Sequence, residues 1–350
     1  MAPTTAKVLH IINDLSRNGG AQRFVIDLVL PPPEGYEIRV ITLDDDNDFR
    51  EELEAQGIDC FAWNTLTLKQ KWQLLRWPDL IHGHLFPSIY LALAAFGKKR
   101  IQTEHATHNR RRDHFWLKPF EYILYWRYNV TVCITDQVKQ ALESFVPHWK
   151  KHYQVILNGV ELSKFSLQPK PSPDLNETIR IGMVGRFHAY KDHPTIIRAL
   201  SQLPDNYELH FAGDGDRREE YQALALKLGL QERVLFHGVQ EDIPAFLDSL
   251  HLYVQSSSVE GFGLAAVEAM AAGLPVLASR VQGMTEVIGN DAYLFDVGND
   301  KMLAEEISML CSVPAAYQEA ADYAVSRCQL FTLQSFRTQY YDTYQRVLNG

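Results

Sequence analysis

Two runs of alternating strand and helix patterns, separated by a polar Pro-rich stretch, constrain this chain more than any single motif does. The first run has β-patterns at Lys7–Asn13, Glu37–Leu43, Ile58–Ala62, Asp79–His82, Arg100–Glu104 and Val130–Ile134, with helical patterns at Ala21–Val29, Phe49–Gln56 and Pro87–Phe96. The second restarts at Thr178–Gly185 and continues through His193–Leu203, Tyr207–Ala212, Arg217–Leu228, Val234–His237, Ile243–Leu250 and His251–Gln255. Between them Asn158–Glu177 carries Pro169, Pro171 and Pro173 and reads as an interdomain linker. Strands alternating with helices form parallel sheets wound on both faces, with ligands at the carboxyl ends of the strands. The expectation is α/β: two doubly wound, Rossmann-like domains, residues 1–165 and 178–332, and a terminal segment 333–350 that is helical over Leu333–Val347. In the first domain the strand ends place Gly19, Gly20, His84 and His105 on one rim.

Composition narrows the class. At 350 residues, 46% apolar and 22% charged, the chain suits a soluble protein of two ordinary domains. Cys60, Cys133, Cys311 and Cys328 are scattered without a CxxC pair, so neither a disulfide frame nor a zinc site is expected. The N-terminal residues lack a signal-peptide core, and no apolar stretch has membrane-span length, which predicts a cytoplasmic protein. Net charge is −9, yet residues 98–127 hold eight basic and three acidic side chains. A basic patch on an acidic protein points to an anionic surface as partner rather than to nucleic acid.

The stretch Val254–Gly283 concentrates the chemistry. Three Ser residues lead into Glu260-Gly261-Phe262-Gly263, an apolar helix follows from Leu264 to Ala272, and a strand from Leu274. Glycines ahead of a helix let an anion approach free N–H groups at its positive end, and Glu260 and Glu268 can accept hydroxyl protons. Taken alone, the pattern equally fits a plain loop-to-helix junction with solvated charges. A second element, Gly185-Arg186-Phe187 with Lys191, puts two cations after a strand, suited to a diphosphate or simply to solvent. GxGxxG is absent, which argues against an NAD enzyme. His82-Gly83-His84 invites a metal, but a third ligand has no obvious source. Asp44-Asp45-Asp46 reads as a solvated run, so no metal is expected.

These residues together resemble the signature of GT-B glycosyltransferases of the retaining family 4 type. The match is Glu260 and Glu268 with seven residues between them, then Ala269-Met270-Ala271, Gly273 and Pro275-Val276. The likeness covers nearly the whole chain. It implies two domains facing across a cleft, a terminal helix crossing back to the first, and a metal-independent hexosyltransferase using a nucleoside-diphosphate sugar, UDP-sugar favoured, without a further cofactor. It also implies roles. Arg186 and Lys191 would stabilise the leaving diphosphate, with the amides of Gly261, Phe262, Gly263 and Leu264 on the phosphate. Glu268 would hold the ribose and Glu260 the sugar hydroxyls. Gly19 and Gly20 would face the donor phosphates, and His84 the donor sugar. His105 and the run Arg110, Arg111 and Arg112 are candidate acceptor or sugar contacts.

The acceptor class implied is a glycan, lipid-linked or cell-surface polysaccharide. The cations of residues 98–127, interleaved with aromatic rings, suggest peripheral contact with an anionic membrane at the inner face of the cell membrane. A sugar-nucleotide epimerase of the same architecture and an inactive sugar-binding scaffold are the alternatives. The paired Glu motif favours transfer over the first, and the filled charged positions weigh against the second.

Overall fold

The structure is a computed structural model that describes residues 5–17, 19–95, 97–106 and 115–350. The chain forms two compact units, one running to Gly159 and completed by Leu333–Gly350, the other Val160–Thr332.

The first unit is built on a seven-stranded sheet. Its strands are β1 (Ala6–Ile12), β2 (Tyr36–Thr42), β3 (Asp59–Ala62), β4 (Leu80–His84), β5 (Lys99–Glu104), β6 (Val130–Cys133) and β7 (Tyr153–Val155). Their order is β3-β2-β1-β4-β5-β6-β7, parallel at every pairing. The second unit has a six-stranded sheet. Its strands are β8 (Ile179–Val184), β9 (Tyr207–Ala212), β10 (Val234–Phe236), β11 (Leu252–Gln255), β12 (Val276–Ser279) and β13 (Leu294–Phe295). Their order is β10-β9-β8-β11-β12-β13, again parallel throughout. Helices cover both faces, which explains why strands such as β4 and β11 are buried along their whole length. In each sheet the order reverses once, between β1 and β4 and between β8 and β11. Crevices for ligands open at such points, beyond the carboxyl ends of the strands.

The terminal helix Leu333–Asn349 belongs to the first unit. Phe336, Tyr340, Tyr344 and Val347 share one face at helical spacing and join Phe24, Val40 and Leu80 in its core.

Three local expectations are corrected. Residues 158–177 do not run free between domains. Val160 bridges to Thr332, and Leu167 N–H and Lys170 N–H donate to Ala271 O (3.0 Å) and Gly273 O (2.9 Å), so the stretch lies on the second unit. Gly273 permits this approach, because a Cβ there would stand 1.8 Å from Gln168 O. The helix expected over Pro87–Phe96 is one α-turn, Ser88–Leu91, followed by a 3-10 turn, Ala92–Ala94. Arg100 holds the end of this stretch: its guanidinium donates to the carbonyls of Ala92 (3.0 Å) and Ala95. The strand expected to end at His82 continues to His84.

Candidate active site

The second sheet's switch point gathers the sequence motifs. β8 ends at Val184, and the turn after it carries Gly185, Arg186 and Lys191. β11 ends at Gln255 and leads through Ser256–Gly263 into the helix Leu264–Ala271. Gly263 opens that helix with no side chain capping it, so its first N–H groups remain for a ligand. The loop is held from behind. Phe262 is buried and packs edge-on against Phe331 at 5.5 Å, so only its backbone is available to a donor. Gly283, at φ +88, lies so close that a Cβ would sit 2.6 Å from Glu260 O and 2.7 Å from Gly261 O. A side chain there would push the loop out of place.

Lys191 and Glu260 form an ion pair that joins the two turns. Ser257 also donates to Glu260 Oε2, at 3.4 Å, while no bond engages Oε1 among the described residues. That oxygen is left for a ligand hydroxyl. Arg186 is exposed, and its side chain makes no hydrogen bond or ion pair among the described residues. Glu268 is half-buried one turn inside the helix. The phenol of Tyr253 reports the convergence of the carboxylates: burial first, then the charges of Glu268 and Glu260, raise its pKa above the ordinary value.

Sequence reasoning missed what fixes Glu260. Val184 N–H donates to Tyr253 Oη (3.2 Å), whose hydroxyl donates to Gln255 Oε1 (2.7 Å). Gln255 Nε2 donates to Ser257 Oγ (3.2 Å), which turns its own proton to Glu260. Tyr253, Gln255 and Ser257 are fully buried. A chain of buried donors all pointing one way from β8 to a carboxylate holds that carboxylate in one orientation. The available signal was the polar run Gln255–Ser258 ending an apolar strand.

In the first unit, Gly19 precedes and Gly20 begins the helix Gly20–Val29, again with no side-chain cap. Asn18 and the run Arg110–Arg112 lie outside the described residues. For His84 the resemblance implied contact with the donor sugar. It is fully buried in β4 and lies 3.1 Å from His10 Nδ1 through its Nε2. His10, on β1 in register with His82, is the third histidine that the sequence did not reveal. His82 is held by Tyr344 Oη (2.6 Å) and Thr103 Oγ1 (2.8 Å), one partner on each ring nitrogen. Burial drives the pKa of His10 down to about 3 and those of His82 and His84 well below the ordinary value, so all three are neutral near pH 7. Their ligand atoms lie within 4.8 Å of one another, the spacing of a metal cluster. Ligation by His82 would break one of its two hydrogen bonds. His105 is half-buried, edge-on to Phe24 at 4.8 Å.

Asp45, within the acidic run, pairs with Arg50 at 2.7 Å. It is a surface ion pair.

Two doubly wound parallel sheets, one of them gathering cations, carboxylates and a helix N-terminus at its switch point, define a protein of GT-B architecture. HepE from Anabaena, whose structure holds UDP-glucose, matches with a TM-score of 0.84 at 21% identity, covering 97% of this chain and 99% of its own. The profile of Glycosyl transferases group 1 matches residues 166–327, and that of Glycosyltransferase Family 4 matches residues 18–164. The lipopolysaccharide core biosynthesis glycosyltransferase LpsD of Rhizobium meliloti (strain 1021) is 30% identical over 320 residues, 88% of this chain and 89% of that protein. LpsE of the same organism, described in the same words, is 30% identical over 182 residues, 51% of this chain and 53% of that protein. The chain belongs to the group 1, family 4-type glycosyltransferases.

Proposed function

We propose that this glycosyltransferase moves a sugar from a nucleoside-diphosphate donor, with UDP-sugar favoured, to a glycan, lipid-linked or polysaccharide acceptor, with retention and without a metal or further cofactor. The observation that carries the reading is the Lys191–Glu260 pair beside an uncapped helix N-terminus, with exposed Arg186 on the same turn as Lys191. The helix amides and both cations suit a diphosphate. Glu260 Oε1 accepts a sugar hydroxyl, and Glu268 the ribose hydroxyls. In the reaction the bond from the anomeric carbon to the diphosphate oxygen breaks, and the acceptor oxygen bonds to that carbon from the same face. The departing phosphate oxygen takes the acceptor's proton. Arg186 and Lys191 stabilise the charge that develops on the diphosphate, commonly the largest catalytic contribution.

A nucleotide-sugar donor is further supported by HepE, crystallised with UDP and with UDP-glucose, and a cell-envelope acceptor by the lipopolysaccharide role in the names of LpsD and LpsE. We place the enzyme in the cytoplasm, peripherally on the anionic inner face of the membrane. No helix among the described residues is long and apolar enough to cross a membrane. One helix, Lys118–Arg127, presents Phe120, Ile123 and Trp126, exposed by 61%, 55% and 59%, on one face, with Trp116 exposed just before it. Aromatic rings next to cations favour an interface.

A thermal-shift screen of UDP-, GDP- and ADP-sugars tests donor binding, since a ligand of the native state raises the midpoint with its excess. Release of free nucleoside diphosphate on adding acceptor separates an enzyme from a scaffold. Absence of both a shift and release with every donor would overturn the reading.

A further inference from the structure

The first sheet has a second edge. The amino end of β5, opposite the rim that carries Gly19 and His84, borders a recess of about 380 Å3 lined by Lys98, Lys99, Arg100, Trp126, Arg127 and Asn129. Its charged side chains are all cations. Asn129 Oδ1 is taken by Arg100 N–H (2.8 Å), which leaves the amide's N–H groups toward any ligand. Arg100 is buried, and its guanidinium donates to the carbonyls of Ala92 (3.0 Å), Lys98 (3.0 Å) and Ala95. Those carbonyls do not cancel its charge. Lys98, Lys99 and Arg127 are half-buried, and none of the four cations pairs with a carboxylate among the described residues. Burial, and after it the neighbouring charge of Arg127, lowers the pKa of Arg100. On a chain of net charge −9 this is a concentrated, uncompensated positive site. Like charges held together without counter-ions are relieved by a bound anion, and forked or clustered N–H donors match phosphate geometry.

We infer that this recess binds a phosphate ester, at an edge of the sheet distinct from the one that carries the sequence motifs. The ester can be the headgroup of an acidic phospholipid or a soluble phosphate. Trp126 favours the first, because it lines the recess and ends the exposed aromatic face of Lys118–Arg127. Only that lipid source rests on the membrane contact proposed above; the anion site itself does not.

The test compares the full chain with Lys99→Gln/Arg127→Gln in two arms. One arm is flotation with phosphatidylcholine vesicles containing or lacking phosphatidylglycerol at low salt. The other is calorimetric titration with sn-glycerol 3-phosphate and inorganic phosphate. The expected result is binding of the intact chain in at least one arm, weakened roughly tenfold or more in the variant, with an unchanged thermal midpoint and unchanged UDP binding. Loss confined to the vesicles identifies a lipid headgroup, and loss confined to the titration a soluble ester. Binding that is absent in both arms, or equal for the two proteins, overturns the inference. Equal flotation of both proteins together with equal titrations would leave membrane contact standing while removing the recess.

Discussion

Lys191 and Glu260, on the turns that follow β8 and β11, are joined by an ion pair across the switch point of the second sheet. The pairing orders both side chains before a donor arrives, so little is spent on orienting them when it binds. Glu260→Ala or Glu268→Ala is expected to lower kcat/KM for the donor by about 2–4 kcal/mol with the fold intact. Lys191→Ala combined with Glu260→Ala should cost less than the sum of the two, because each single change strands the other's charge. Strict additivity would show that the two side chains act independently.

The buried chain through Tyr253, Gln255 and Ser257 carries a prediction of its own. Ser257→Ala removes the hydroxyl that donates to Glu260 and should raise the donor KM by an amount equivalent to about 1 kcal/mol. Ser257→Thr keeps the hydroxyl and should restore most of it. Equal loss in both variants, or a change in thermal midpoint alone, would mark the serine as mere packing.

Metal removal should leave turnover unchanged. EDTA, or Asp44→Ala with Asp46→Ala, is expected to have no effect on rate, since Arg186 and Lys191 serve the diphosphate. Loss of activity restored by Mg2+ or Mn2+ would refute this.

Stability should depend on pH through the buried histidines. His10 in the folded state titrates near 3, and His193 near 4, against 6.5 for an exposed ring. Their depressed values mean that the folded protein keeps them neutral while the unfolded chain binds protons below about pH 6.5. The stabilisation is therefore complete above 6.5 and drains away as pH falls toward the folded values, at up to roughly 1.4 kcal/mol per pH unit for each such ring. Denaturant unfolding at pH 7, 6 and 5 measures it. A free energy flat over that range would contradict the burial.

Anomeric configuration is the last expectation. The product's NMR couplings should report the donor's configuration retained, as same-face transfer requires. Clean inversion would remove that mechanism while leaving the family assignment untouched.

Much of this was legible in the sequence, for reasons of short range. Period-two and period-3.6 patterns, restarting after the Pro-rich stretch, marked both sheets, because β-strands and covering helices each leave a local imprint on hydrophobicity. The Gly261–Gly263 turn, Glu260, Glu268, Arg186 and Lys191 were identifiable because loop chemistry at strand ends is written in adjacent residues. Tertiary structure alone decided the rest. His10 joins His82 only because the sheet order sets β1 beside β4, a pairing between residues 72 positions apart that no local pattern encodes. Residues 158–177 looked like a tether by composition, yet backbone hydrogen bonds to Ala271 and Gly273 lay them on the second unit. Arg100 looked like one cation of a surface patch. Its burial beneath Lys98, Lys99 and Arg127 depends on carbonyls that only the folded backbone brings together. Sequence determined which residues stand at the strand ends, and the crossing order of the strands determined which of them meet.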